Sequence, residues 1–356
     1  MQNGSTITVV VPVYNGSNYL ADALDSLQVQ SCQPSEVIVV DDCSSDASLA
    51  TVAKWSAHNS PRFSLRVLST ERNSGSPARP LNIGIGAAKE DLIAVLEQDD
   101  VFAPAKLQRC SEMFLNHHGL NFVAHGACRH QHRRSFGSIA QRNFERDKHV
   151  QRMLVGDRAS GIILDSQAST LLTVRHSMFP TGFPGIAFRK SAWEKMGGLP
   201  ECYKVATDYA FLLALARGGK GCYVPDRLYE RRDHEACLSH NSSLSFLEVL
   251  TILKTQIEND PEILAIPGII DAIIWRTVES AWNVAAFGYR EQARRIICRA
   301  IKLGGWSIKR ELQKQAALLM PAYRTLFMPR AVSNELTANA VAEAAEALLV
   351  LAAKGR

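Results

Sequence analysis

Four strand-like runs mark the first hundred residues: Thr6–Val11, Glu36–Val40, Leu65–Leu68 and Leu92–Leu96. Leu92–Leu96, apolar without alternation, predicts a strand buried on both faces, as in a parallel sheet; Thr6–Val11 and Glu36–Val40 read as buried strands too, and Leu65–Leu68 as a shorter third. Helical spacing fills the gaps. Leu20, Ala23, Leu24 and Leu27 share one face of a first helix, with Asn18 as its expected cap. Ser44, Ser45 and Asp46 offer caps for a second helix running through Trp55. A third is expected from Ala78 to about Ala88, where Gly84 and Gly86 either weaken it or let it pack closely on the sheet. Strands alternating with helices predict right-handed crossovers.

Beyond Pro104 the pattern predicts a helix over Lys106–Leu115 and a fifth strand at Asn121–Ala124. Gly185–Arg189 reads as a strand, followed by Lys190–Met196 and a turn at Gly197–Pro200, and Asp208 stands at the start of a helix carrying Phe211, Leu212 and Leu215. Gly221–Val224 and Leu228–Arg232 read as two short strands. From about residue 243 only helical patterns remain, at Phe246–Glu258, Ile269–Phe287, Glu291–Lys302, Lys309–Met320 and Glu335–Lys354. Two domains are therefore expected, 1–242 and 243–356.

Composition narrows the class only slightly. Of 356 residues, 46% are hydrophobic and 21% charged, which suits a globular protein. The net charge of +5 favours an anionic partner without choosing one. It is unevenly spread: 117–158 holds eight basic side chains against three acidic ones. That stretch reads either as solvated surface or as an arm for an anionic acceptor or lipid headgroups. Its His130-Gln131-His132 has no second ligand pair and predicts no metal site. The eight cysteines are scattered without a C-x-x-C pair, which suits a reducing, cytoplasmic setting. No secretory signal and no run of eighteen apolar residues is present.

Candidate chemistry collects where strands end. The second strand stops at Asp41-Asp42, and the fourth runs straight into Glu97-Gln98-Asp99-Asp100. Ligands of open α/β sheets bind beyond the carboxyl ends of the strands. Acids crowded there are tolerated if solvated or if a cation sits among them, and carboxylate oxygens suit Mg²⁺ or Mn²⁺.

Taken in order, these segments resemble the family 2 glycosyltransferases of the GT-A fold. Val10-Val11-Pro12-Val13-Tyr14-Asn15 resembles that family's opening strand and turn, and Val39-Val40-Asp41-Asp42-Cys43-Ser44-Ser45-Asp46 its V-D-D-x-S-x-D turn. Asn73-x-Gly75 with Arg79 and Asn82-Ile83-Gly84-Ile85 resembles its third segment. Glu97-Gln98-Asp99 falls at its D-x-D, with Glu97 replacing the first Asp. Met196-Gly197-Gly198-Leu199 followed by Thr207-Asp208 resembles its G-G-x…E-D segment, with Thr207 replacing the usual Glu, and Arg232-x-His234-x-x-x-x-Ser239 its closing R-x-H…S. The likeness spans residues 7–239 and leaves the C-terminal third unmatched.

The resemblance implies an α/β fold of the GT-A type, a Rossmann-like, mostly parallel sheet flanked by helices, followed by an α-helical C-terminal region. It implies a metal-dependent inverting transferase that moves a sugar from a nucleotide-sugar to a hydroxyl of a glycan or lipid-linked acceptor. The donor nucleotide would lie against Pro12, Val13, Tyr14, Asn15, Asp41, Asp42, Arg79, Gln98 and Asp99. A uracil-type N–H suits an acceptor-only carboxylate such as Asp41, so UDP is the first choice. Mn²⁺ or Mg²⁺ would be held by Asp99, Glu97 and His234, the diphosphate by Arg232 and His234, and Asp208 would be the general base. Nucleic acid is not an expected partner. A homo-oligomer through the C-terminal helices and a peripheral place at the inner face of a membrane both stay open. The apolar run Leu348–Leu351 suits a lipid surface, or packing against the core or a second subunit. Two rival readings are a catalytically silent GT-A-like binding or scaffold protein and, with a weaker phosphate loop than it requires, a nucleotidyltransferase.

Overall fold

The computed structural model describes residues 7–129, 161–176, 182–232, 234, 237, 242–286, 288–305 and 335–355. The His130–His132 motif, most of the basic 117–158 stretch and the expected helix Lys309–Met320 lie outside them.

The four strand-like runs form β1 (Ile7–Val13), β2 (Glu36–Asp41), β3 (Ser64–Ser69) and β4 (Leu92–Val95). They pair in parallel in the order β3-β2-β1-β4. All residues of β1, β2 and β4 are buried, which explains their largely apolar character, whereas β3 is an edge strand with no fully buried residue. Helices α1 (Leu20–Gln28), α2 (Ser48–Asn59) and α3 (Ala78–Ala87) occupy the crossovers. Gly84 brings α3 against the sheet: a Cβ there would lie 2.4 Å from Val10 Cγ1 and 3.0 Å from Val40 Cγ2. The expected cap at Asn18 is not made. Tyr19 is the N-cap of α1, and the Gly16 carbonyl accepts from both Tyr19 and Leu20 N–H at 3.0 Å.

The second half of the sheet is mixed. β5 (Val101–Phe102), β6 (Leu120–Arg129), β7 (Ile162–Leu164), β8 (Ile186–Arg189) and β9 (Lys220–Arg231) extend it in the order β4-β8-β6-β9-β5, with β7 on β9. β4 pairs antiparallel with β8, and β5 antiparallel with β9. The two short strands expected over Gly221–Arg232 are one strand with a register irregularity against β6 beside Gly126. Helices α4 (Lys106–Asn116), α5 (Ser166–His176), α6 (Lys190–Lys195) and α7 (Thr207–Gly218) complete this part.

The described chain divides into two compact units. Residues 7–129, 161–169 and 182–234 form the sheet unit, and 170–176 and 237–355 the helical one. In the helical unit α8 (Ser242–Asn259), α9 (Ile269–Ala286), a helix at 290–305 and a final helix at Glu335–Lys354 are seen. The final helix packs on both α8 and α9. Val341, Ala345, Leu348, Leu349 and Ala352 are fully buried, so Leu348 and Leu349 of the apolar run serve this packing, while Val350 between them and Leu351 is 40% exposed. Among the described residues no helix is long and apolar enough to cross a membrane.

One cation is enclosed in the sheet unit. Lys106 is 0% exposed; its Nζ lies 3.5 Å from the Phe102 ring centroid and donates to the Pro184 carbonyl. Burial lowers this amine from 10.5 to about 7, against smaller opposing effects of Cys110 and Asp100. Burial, followed by the Lys106 charge, also holds the His125 imidazole well below its ordinary range.

Two predictions follow from this packing. Gly84→Ala should lower unfolding free energy by about 1–3 kcal/mol in urea melts, because the added methyl meets two strands at once. For Lys106, the folded amine is neutral above pH 7 while the unfolded one stays charged to about 10.5. The unfolded state then binds more protons, so this residue's contribution to stability rises with pH by about 1.4 kcal/mol per unit across that window. Lys106→Met removes the effect. The stability difference between wild type and variant, measured on both sides of pH 7, should therefore grow in favour of wild type as pH rises.

Candidate active site

Parallel register brings the carboxyl ends of β1, β2 and β4 side by side, with Val13 opposite Asp41 and Val10 opposite Val95. The loops after β1 and β2 are tied together by side chains. Ser44 Oγ accepts from Asn15 N–H at 2.9 Å, Ser48 Oγ from Gly16 N–H at 2.9 Å, and Asp46 from Ser17 N–H at 3.0 Å. In return, Asn15 Oδ1 accepts from Ser45 N–H at 2.8 Å and Asp46 N–H at 3.3 Å. Burial opposes charge on Asp46, yet hydrogen bonds from Ser48 and Ser17 prevail and pull its carboxyl down to about 2.

The adjacent acids Asp41 and Asp42 do different work. Asp42 Oδ1 accepts from the Thr70 hydroxyl at 2.8 Å, and its Oδ2 accepts from Ser74 N–H at 2.9 Å and Ser74 Oγ at 2.8 Å. Both its oxygens thus hold the turn between β3 and α3. Asp41 Oδ2 accepts from Ser44 N–H at 3.1 Å, but its Oδ1 is buried with no hydrogen-bond partner. An unmet buried acceptor costs about 1–3 kcal/mol, so this atom is a candidate for a ligand N–H. Tyr14, 47% exposed, stands at the end of β1. Its backbone N–H and carbonyl are both taken by the Gln98 side-chain amide, at 2.8 and 3.0 Å.

The end of β4 carries the acid cluster. Burial, then the charges of Asp100 and Asp99, push the Glu97 carboxyl well above its ordinary range; Arg231 opposes this and Asp208 adds to it. Burial and Asp99 raise Asp100 to about 8, against Arg231 and a hydrogen bond from Arg232 N–H at 3.1 Å. Asp100 Oδ2 is also buried without a partner. His234 Nε2 lies 2.8 Å from Asp99 Oδ2. These partners arrive through the pairing of Val101 with Glu230 and Phe102 with Tyr229, which lays the chain after β9 alongside the chain after β4. The incompletely compensated carboxyls, with one imidazole, are a donor set that fits a hard divalent cation.

Of the residues expected from sequence, the structure brings together Glu97, Asp99, His234 and Asp208 at one end of β4, and Asp41, Tyr14 and Gln98 beside it. Asp208 is half-buried in the first turn of α7. Pro12 and Val13 are buried strand residues, and Arg79 stands half-buried in the first turn of α3. At three expected positions the side chains are already engaged within the protein. Asn15 Oδ1 and both Asp42 oxygens hold loops. The Arg232 guanidinium pairs with Asp22 at 2.8 Å, and its backbone N–H donates to Asp100. Sequence reading missed Arg231, whose charge acts on Glu97 and Asp100, and Tyr19, which stacks on His234 with centroids 4.7 Å apart. The i, i+3 spacing of Tyr19 and Asp22 was the available signal for the second.

Residues 8–164 match the model of a family described as glycosyl transferase family 2. A glycosyltransferase of Haemophilus influenzae, itself uncharacterised, is 27% identical over 239 residues, covering 67% of this chain and 71% of the relative. The poly(ribitol-phosphate) beta-N-acetylglucosaminyltransferase TarS of Staphylococcus aureus is 33% identical over 113 residues, 31% of this chain but only 19% of the relative. The crystal structure of TarS 1–349 in complex with UDP aligns with a TM-score of 0.52 at 22% identity, covering 71% of this chain and 65% of that one. The mannosyltransferase PcManGT of Pyrobaculum calidifontis, in complex with GDP-Man and Mn²⁺, aligns with a TM-score of 0.58 at 18% identity over 97% of this chain and 87% of that one. At such identities the two structures speak for the fold alone.

Proposed function

We propose a specific reaction for this chain, which belongs to the family 2 glycosyltransferases and has their GT-A fold. The chain transfers a sugar from a UDP-sugar to a hydroxyl of a glycan or lipid-linked acceptor, inverting the anomeric carbon. The observation that carries this reading is the gathering of Glu97, Asp99, His234 and Asp208 at the end of β4. The neighbouring Asp41 oxygen without a partner supports it. TarS, seen with UDP, and PcManGT, seen with GDP-Man and Mn²⁺, share the fold and bind ligands of the class proposed here.

In this reading Asp41 Oδ1 accepts the N–H of the base, and the exposed Tyr14 ring gives the base a flat apolar face. Arg79 meets a phosphate oxygen as a guanidinium fork. Asp99, His234 and Glu97 would hold Mn²⁺ or Mg²⁺, which would supply Lewis-acid neutralisation of the leaving diphosphate. Asp208 takes the proton of the acceptor hydroxyl as its oxygen bonds to the anomeric carbon and the bond to UDP breaks. Its place in the first helical turn favours the ionised form that a base requires. A single displacement needs one base and no covalent nucleophile, which fits this set of groups.

Release of UDP from a panel of UDP-sugars, with and without Mn²⁺, tests the donor. Asp208→Asn should lower kcat by about a hundredfold to ten-thousandfold with donor affinity and Tm retained; unchanged turnover would remove Asp208 from the mechanism. Asp99→Asn should abolish metal-dependent turnover and weaken UDP binding in the presence of Mn²⁺. Near-wild-type behaviour of that variant would overturn the metal assignment.

A further inference from the structure

Arg232 and His234 follow the end of β9, yet both side chains are largely enclosed, at 15% and 18% exposed. The first turn of α1 accounts for their positions. The Tyr19 ring stacks on the His234 imidazole, 4.7 Å between centroids and 18° between planes. The Arg232 guanidinium carbon lies 5.8 Å from the centroid of the same ring. Asp22, three residues on and hence on the same face of α1, accepts from Arg232 at 2.8 Å. Tyr19 is anchored in turn, its N–H donating to the Gly16 carbonyl at 3.0 Å. On the far side of the stack, His234 Nε2 meets Asp99 Oδ2 at 2.8 Å.

We propose that Tyr19 is a positioning residue for the transfer reaction: with Asp22 it forms a platform on α1 that aims the His234 imidazole at Asp99, and so sets the affinity of that pair for a divalent cation. This rests on the reading that Asp99 and His234 hold the cation. The histidine ring turns about both its Cα–Cβ and Cβ–Cγ bonds, and a ring stacked on its face restrains both turns while its edge faces Asp99. Arg232 closes the platform, because its charge is drawn to the face of the Tyr19 ring and to the Asp22 carboxylate at once. The tyrosine ring carries the function and its hydroxyl does not. Partners that orient a ligand in this way typically change metal affinity by about tenfold to a hundredfold.

The test is titration of the full chain with Mn²⁺ in the presence of UDP, read by the loss of free-ion EPR signal, with Tm measured for each variant. Tyr19→Leu should weaken Mn²⁺ binding by about tenfold to a hundredfold, and Tyr19→Phe, which keeps the stack, should restore wild-type affinity. Asp22→Asn, a change at an exposed carboxylate, should give a smaller loss in the same direction. In a His234→Ala background, Tyr19→Leu should cause no further loss, since the platform acts through the imidazole. A purely structural role predicts instead that Tyr19→Leu lowers affinity equally with and without His234, and that result overturns the proposal. So does wild-type Mn²⁺ affinity in Tyr19→Leu while Asp99→Asn and His234→Ala are impaired, an outcome that leaves the metal reading intact. If Tyr19→Leu does not fold, wild-type affinity in Asp22→Asn overturns the platform. Undiminished binding in Asp99→Asn and His234→Ala overturns the metal reading and the proposal with it.

Discussion

Too much negative charge is enclosed at the end of β4, and its surroundings are arranged around that imbalance. Removing a carboxylate from water costs several kcal/mol unless charge or hydrogen bonds compensate. Here the compensation comes from elements distant in sequence. Arg231 acts on Glu97 and Asp100, the Arg232 backbone donates to Asp100, and His234 meets Asp99. What remains uncompensated is visible in the raised Glu97 and Asp100 carboxyls. Such a remainder is what a cation would satisfy on the reading proposed above, since complete neutralisation inside the protein would leave nothing for it.

The two-residue strand β5 makes this arrangement possible. Its antiparallel pairing with the end of β9 brings residues 231, 232 and 234 back beside residues 97–100. The parallel half of the sheet needs no such device, because β1, β2 and β4 deliver their loops to the same end by register alone. Half of the site therefore comes from the regular topology and half from one short return.

This difference also governs how far the sequence could be read. β1, β2 and β4 were legible because burial on both faces leaves a largely apolar run, and the final helix because its buried face repeats at helical spacing. Gly84 was legible as a close approach. The mixed half was not: β9 bends at Pro225-Asp226-Arg227, where polar residues look like a break, and the partner of a two-residue strand leaves no periodic trace. Among the site residues, Asp41 stands at the end of β2, Asp99 and His234 meet beyond β4, and Asp208 lies in the first turn of α7. Asn15 and Asp42 could not be separated from them by residue type, because the amide and carboxylate that would suit a nucleotide suit a backbone N–H equally well. Only the count of occupied oxygens distinguishes Asp42 from Asp41.

The cross-linked loops after β1 and β2 have a thermodynamic consequence. Fixing the backbone of a residue costs about 1–2 kcal/mol in entropy, and a loop that freezes around its ligand takes that cost from the binding energy. Residues 15–17 and 44–48 share five backbone-to-side-chain hydrogen bonds before any ligand arrives. Their freedom is already lost on folding. Any ligand entering beside Tyr14 and Asp41 would meet one stiff body where the chain diagram shows two loops. The contacts made there are therefore expressed as affinity with little deduction for ordering the backbone.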